Sequence, residues 1–333
     1  MPEQDPSRIA IVGCGAVVEQ SYLPALQYCR GVRCEALIDP DGVRTEALAG
    51  RYGIPATAAR IEDMPAGVAG VVVAVPNSLH VPVVTRALSG GVHVLCEKPL
   101  GRTVSEVDAM VAVAAQSRRE LFAAMVCRRY PAVREAVTHD LKRLVGDIRG
   151  IDASYGFPLD WPVKSTAYFD REASGGGALL DFGAHLIDAL LHVTGATSFE
   201  VSAYADDADA GVDAEAEGRV VLFVEQRRVE CTVRASRLRR LPNAVILHGD
   251  HNTLDIPLSP MQPATLRVGS GSWPVSGSMA GSLQCFIEQL EDFGRAIRND
   301  THQLPCGASQ RATIALIEAM YARRQPLVFS WDA

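Results

Sequence analysis

The sequence predicts an α/β protein that opens with a doubly wound parallel sheet, and three observations predict it. A short apolar run (8–12) leads through Gly13-Cys14-Gly15 into a stretch whose apolar Val17, Val18, Tyr22 and Leu26 have helical spacing. The stretch "RCEALIDPD" (33–41) reads as a second strand ending at Asp39, 24 residues after Gly15. The valine-rich run "AGVVVAVP" (69–76) carries no polar alternation, which predicts a strand buried on both faces. Strands alternating with helices imply a parallel sheet wrapped on both sides.

Each early element carries a local reason. Strand, glycine turn and helix is the context in which G-x-G admits a pyrophosphate: the glycines let the backbone approach, and the helix start supplies N–H groups. Gly13, Gly15, Ala16 and Val17 are the candidates there. The third glycine position of the fingerprint is Val18. Asp39 can accept hydrogen bonds from adenosine ribose hydroxyls and would repel a 2′-phosphate, which favours NAD; Arg44 nearby leaves NADP open. A plain reading stands beside this one, an Asp-Pro turn that ends a strand. Beyond the valine run comes the polar loop "VPNSLH", with Pro76, Asn77 and His80. A helix end at Gly90-Gly91, a strand (92–96) and the loop Glu97-Lys98-Pro99 follow. Thr103 then offers a cap and Glu106 a first-turn acid for the next helix. Ligands of such sheets sit beyond the carboxyl ends of the strands, where Asn77, His80 and Lys98 lie.

The stretch "ALLDFGAHLIDALLHVTG" (178–195) reads as an apolar helix carrying Asp181, His185, Asp188 and His192. At 100° per residue they fall at about 0°, 40°, −20° and 20°, one polar stripe. The stripe spans about 16 Å, too long for one small substrate or one ion. It divides into a reactive half, Asp181 and His185, and a structural half, Asp188 and His192, the latter expected to bond across a domain interface. The same spread argues against a zinc site, and no metal is expected.

Composition bounds the reading. The net charge is −7, with no concentrated basic run for nucleic acid. No apolar run approaches the ~20 residues of a membrane span. The N-terminus "MPEQDPSR" is polar, unlike a signal peptide, and eight scattered cysteines form no C-x-x-C pair. A cytoplasmic protein with reduced thiols is expected.

"GCGA", "VPNSLH", "CEKPL" and "GGGALLDFGAHLIDALLHVTG" occur in one order, and together they resemble the Gfo/Idh/MocA oxidoreductase family. "GDIRGID", "QCFIEQLEDFGRAIRND" and "ASQRATIALIEAMY" extend the resemblance over nearly the whole chain. It implies an NAD(P)-binding Rossmann-type domain (1–124) and a substrate-binding and oligomerisation α/β domain (125–333) with an open, largely antiparallel mixed sheet. The last helix would be able to pack back on the first domain, and a homodimer or homotetramer would form through the C-terminal sheet. Lys98 matches the family lysine beside the substrate oxygen and nicotinamide, and the Lys98–Pro99 bond is often cis in relatives. Glu97, Asn77 and His80 would lie by the nicotinamide ribose, and Asp181 and His185 match the D-x-x-x-H pair. Val18 and Cys127 depart from the pattern.

Hydride transfer at a carbinol carbon needs a base for the hydroxyl proton and a donor for the oxygen. His185 suits the base, Asp181 can fix its tautomer, and Lys98 can stabilise developing alkoxide charge. The aromatic stretch 155–170, with Tyr155, Trp161 and also Lys164, could face a polyol ring; Arg129 is a further substrate candidate. The acidic segment "ADDADAGVDAEAEG" (205–218) is expected to be a solvated loop, "SGSWPVSGSM" (270–279) a flexible one, and the glycines before Ala178 a flexible substrate loop. The reading is an NAD(P)-dependent oxidoreductase of a sugar, cyclitol or related polyol. Its rivals are an NAD-assisted glycosidase or lyase, and a non-catalytic cofactor-binding regulator.

Overall fold

The apolar run that opens the chain becomes β1 (Ser7–Val12), paired on both sides. The computed structural model describes residues 5–160, 162–163, 166–208, 211–275 and 279–327. After the glycine turn, one π-helical turn (Val18–Tyr22) runs into α1 (Leu23–Leu26). Then come β2 (Val32–Ile38), α2 (Gly42–Tyr52), β3 (Ala56–Ala58), β4 (Gly70–Val73), α3 (His80–Ser89), β5 (His93–Cys96), α4 (Val104–Ser117) and β6 (Leu121–Ala123). These strands form a sheet in the order β3-β2-β1-β4-β5-β6, every pairing parallel. The order reverses between β1 and β4, the switch point at which such sheets receive ligands. β4 is buried at every position, as its unbroken valine sequence requires. Thr103 caps α4 by accepting the Glu106 N–H at 3.2 Å.

The chain continues through α5 (Pro131–Thr138), α6 (Leu141–Val145), β7 (Ile148–Gly156), α7 (Arg171–Ser174) and α8 (Ala178–Thr194). β8 (Ser198–Asp206), β9 (Glu215–Val224), β10 (Arg227–Ser236), β11 (Ala244–Gly249), β12 (Thr253–Pro257), β13 (Thr265–Val268) and β14 (Gly271–Pro274) follow. α9 (Ser282–Ile297), α10 (Gln310–Tyr321) and β15 (Arg324–Pro326) end it. The second sheet runs β14-β13-β12-β11-β7-β10-β9-β8-β15. Its β7–β10 and β8–β15 pairings are parallel and the others antiparallel. This is the mixed, largely antiparallel sheet that the resemblance implies. In β10, Val229, Cys231, Val233 and Ala235 are buried while Arg228 and Glu230 are exposed, the period of a sheet covered on one face. α8 covers it, lying against β7, β9, β10 and β11.

Two units divide the chain. One comprises residues 1–126, 162–168 and 282–311; the other comprises 127–161, 169–281 and 312–333. The single boundary expected at 124/125 is therefore interrupted, because α9 rejoins the first unit. Leu290, Phe293 and Ala296 share a core with Ile9, Tyr22, Leu23 and Val32. Gly294 permits the approach, since a Cβ there would stand 2.6 Å from the Gly31 carbonyl oxygen. Arg298 Nη1 donates to that same carbonyl at 2.9 Å.

Two loop expectations are corrected. Of residues 205–218, Asp206, Asp213 and Glu215 are buried, while 205–206 belong to β8 and 215–218 to β9. Acidity there reflects partnered internal carboxylates: Arg324 Nε donates to Asp206 Oδ1 at 2.6 Å, and Arg239 pairs with Glu215. Within 270–279, residues 271–274 form β14 in a hairpin with β13. Among the described residues, no helix is long and apolar enough to cross a membrane.

Candidate active site

In the first unit the glycine turn is fixed from two sides. Gly13 N–H donates to Ile38 O at 2.8 Å. Its φ is +93°, and a Cβ there would lie 2.3 Å from the Ala74 carbonyl oxygen, so only glycine fits. At Gly15 a Cβ would meet nothing within 4 Å, so the backbone is open at the start of the helix. Ala16 and Val17 are its first residues, where amides lack an intrahelical acceptor. Val18 is fully buried in the π-turn, so the side chain replacing the third glycine is absorbed into the core. Asp39 Oδ2 accepts the Cys14 N–H at 2.7 Å and Oδ1 the Asp41 N–H at 2.9 Å. Its carboxylate thus shapes the turn, and each oxygen retains a second acceptor position. Arg44 Nε lies 3.7 Å from Asp41 Oδ2, turned to that acid. Burial first, then the charge of Asp39, pushes the Cys14 thiol up to about 12, which makes it unreactive.

Beyond β4 and β5 the loops lock together. Pro76 and Asn77 lead into a 3₁₀ turn (Asn77–Leu79). His80 corrects its expected place by a ribose: it is fully buried, and its ring nitrogens face backbone carbonyls. Nδ1 lies 3.0 Å from Pro99 O, and Nε2 lies 3.1 Å from Val75 O. It clamps the two loops, and burial lowers its pKa. Lys98–Pro99 is cis. Glu97 Oε2 accepts the Lys98 N–H at 3.1 Å. Glu97 and Lys98 are half-buried.

In the second unit α8 presents the stripe. Asp181 and His185 are half-buried on one face near its start. Arg237, from the end of β10, donates from Nη2 to Asp181 Oδ2 at 3.2 Å. Its guanidinium carbon stands 6.0 Å from the centroid of the Phe182 ring. Tyr155 on β7 packs edge-on to Phe182 at 5.6 Å and lies 6.4 Å from the His185 ring. Burial, then the charges of Cys127 and Asp181, raises the Tyr155 phenol, which keeps it a donor. Arg129 is 6% exposed. Trp161 and Lys164 lie outside the described residues. Asp188 is buried and takes a bidentate pair from Arg128, at 2.8 and 2.7 Å. That pair lies inside the second unit. His192 is lowered by burial and then by Arg128.

The glycines before α8 form a tight anchor in place of the expected flexible loop. Asp213 accepts the Gly177 N–H at 2.8 Å, the Leu179 N–H at 2.7 Å and the Tyr321 hydroxyl at 2.7 Å. A Cβ on Gly177 would stand 1.8 Å from the Asp213 carbonyl oxygen.

Comparison with known proteins accounts for both units. A profile described as "Oxidoreductase family, NAD-binding Rossmann fold" matches residues 7–125, and the GFO/IDH/MocA C-terminal domain matches 132–255. The chain belongs to the Gfo/Idh/MocA family. It is an NAD(P)-dependent oxidoreductase. Among its curated relatives is a putative UDP-kanosamine synthase oxidoreductase subunit of Amycolatopsis mediterranei (strain S699), 27% identical, with 95% of each chain covered. Among solved structures, KijD10, a 3-ketoreductase from Actinomadura kijaniata in complex with NADP and TDP-benzene, matches with a TM-score of 0.84. It is 21% identical over 98% of this chain and all of that one. A levoglucosan dehydrogenase in complex with NADH matches with a TM-score of 0.81, 20% identical over 96% and 97%. At these identities the solved structures speak for the fold.

The residues of this Gfo/Idh/MocA chain fit a dinucleotide: the face of Gly15 is open, the helix start follows it, and an acid ends β2. Sequence reasoning missed Arg237 and Asp213, which carry no motif and reach α8 from distant strand ends. Among the described residues no cluster of three or more His, Cys, Asp or Glu could hold a metal.

Proposed function

We propose that this oxidoreductase moves a hydride between nicotinamide and a secondary alcohol or ketone carbon of a sugar, cyclitol or related polyol. When bound, the cofactor supplies the hydride acceptor or donor; everything else falls to the chain. Gly13, Gly15, Ala16 and Val17 hold the pyrophosphate and Asp39 the ribose, with NAD favoured. Pro76, Asn77 and Glu97 line the nicotinamide side, and His80 supports them from the core. In the oxidative direction His185 takes the hydroxyl proton from the substrate, and in reduction it returns it. Asp181 orients His185, and Lys98 donates to the reacting oxygen as charge develops. Tyr155, Arg129 and Trp161 contact substrate. The carrying observation is the Asp181–His185 turn of α8, anchored by Asp213 and flanked by Arg237 and Tyr155.

The test incubates the protein with NAD⁺ or NADP⁺ and a panel of inositols, monosaccharides and their glycosides. Accumulation of reduced nicotinamide with a matching amount of ketone is the expected result. Glycoside cleavage without net reduction would place the chain with the glycosidase reading, and tight cofactor binding without turnover with a regulator. We further propose assembly as a homodimer or homotetramer through the uncovered face of the nine-stranded sheet. That face carries polar groups such as Arg234 and Glu217, 3.2 Å apart. Sedimentation equilibrium tests it, and a monomer at micromolar concentration would refute it.

A further inference from the structure

Behind the lysine loop runs a buried chain of hydrogen bonds. The Tyr22 hydroxyl donates to Glu97 Oε1 at 2.7 Å, while Gln289 Nε2 donates to the Tyr22 oxygen at 3.1 Å. Tyr22 is fully buried and Gln289 is 1% exposed. The other Glu97 oxygen accepts the backbone N–H of Lys98. One hydroxyl therefore joins three pieces of the first unit: the π-turn after the glycines, helix α9, and the loop bearing Lys98. Nothing about packing demands the hydroxyl. The ring is held by apolar neighbours, including Phe286 edge-on at 5.2 Å, which would hold a phenylalanine equally well.

Tyr22 also ends the π-turn that begins at Val18. π-turns inside helices concentrate at functional sites, and this one sets where the Tyr22 ring leaves the helix. Burial, then the charge of Glu97, raises the Tyr22 phenol well above its ordinary range, so it stays a donor at working pH. With Tyr22 on one oxygen and the Lys98 amide on the other, both oxygens of the Glu97 carboxylate are engaged.

We propose that Tyr22 is a positioning residue for Lys98: its hydroxyl, oriented by Gln289, holds Glu97 and thereby sets the lysine loop relative to the glycine turn. The inference rests on the role of Lys98 in the proposed function. Tyr22→Phe keeps the ring and removes the link; Gln289→Leu removes only the outer bond. Two readouts on the full chain separate the cases. Backbone hydrogen exchange of residues 97–98 needs no substrate, and it should rise about tenfold in Tyr22→Phe and less in Gln289→Leu. NADH affinity should stay within about threefold, and Tm should fall by about 3 °C. With whichever substrate of the panel turns over, kcat should drop about tenfold while KM for NAD⁺ holds. A lower Tm with loop exchange and kcat unchanged would reduce Tyr22 to a packing residue and overturn the proposal. If no panel compound turns over, the function proposed above loses support while the exchange measurement alone decides the relay.

Discussion

Arg237 meets the site residue Asp181 with its charge, Asp39 is itself a charged site candidate, and both can be tested by removing the charge. The Arg237 guanidinium is 5% exposed and bonds Asp181 while lying near the Phe182 ring. Arg237→Met should cost about 1.5–3 kcal/mol, the range for hydrogen bonds to charged groups, read as a lower Tm. Arg237→Lys should recover turnover only in part, because an ammonium cannot reproduce the planar fork. Asp39→Asn keeps one acceptor for the turn and removes the charge that opposes a 2′-phosphate. The ratio of kcat/KM for NADP⁺ to that for NAD⁺ should rise about tenfold, the equivalent of ~1.4 kcal/mol. Lys98, Asp181 and His185 stand out in the sequence because motifs surround them, and their catalytic roles are proposals. Arg237 does not stand out: it comes from the end of a strand 56 residues further on, and no spacing rule links the two.

Helix α8 shows what periodicity reveals and what it hides. Its polar stripe is visible in the sequence, and in the structure Asp188 is buried against Arg128. The partner's location was not visible, because a stripe gives direction and not the element that meets it. The start of α8 was misread, since three glycines suggest looseness until the backbone they must pass is known. Gly177→Ala should therefore lose about 3 kcal/mol or more, seen as a large fall in Tm, because its Cβ would collide with backbone that cannot yield. Asp213→Ala leaves the Gly177 and Leu179 amides uncapped. It should speed exchange in the first turn of α8 and cost about 1–2 kcal/mol. The acidic stretch that contains Asp213 was misjudged for a related reason: composition reports charge, and burial depends on partners from elsewhere in the chain.

Over the whole molecule, the doubly wound sheet was legible from alternating strands and helices, and the mixed sheet only through family resemblance. The return of α9 to the first unit was not legible, because Gly294 meets Gly31 and Val32, some 260 residues earlier, and Phe293 meets Gly70 on β4. A global consequence follows from the histidines. His80, His93 and His192 all have lowered pKa values, with burial the largest cause of each. The unfolded chain takes up these protons near the ordinary value of about 6.5, and the folded chain takes them up only at lower pH. Stability is therefore greatest above that pH and declines as pH falls through it. Tm measured from pH 7.5 to 5 should drop, and His80→Gln should flatten the slope; a flat wild-type profile would contradict the assignment. The role proposed for Lys98 is to serve the reacting oxygen and not the fold or the cofactor. Lys98→Ala, assayed on the best panel substrate alongside NADH titration, tests it most directly. The expected result is a fall in kcat of about 10²–10³ with NADH affinity within threefold; unchanged turnover would contradict that role.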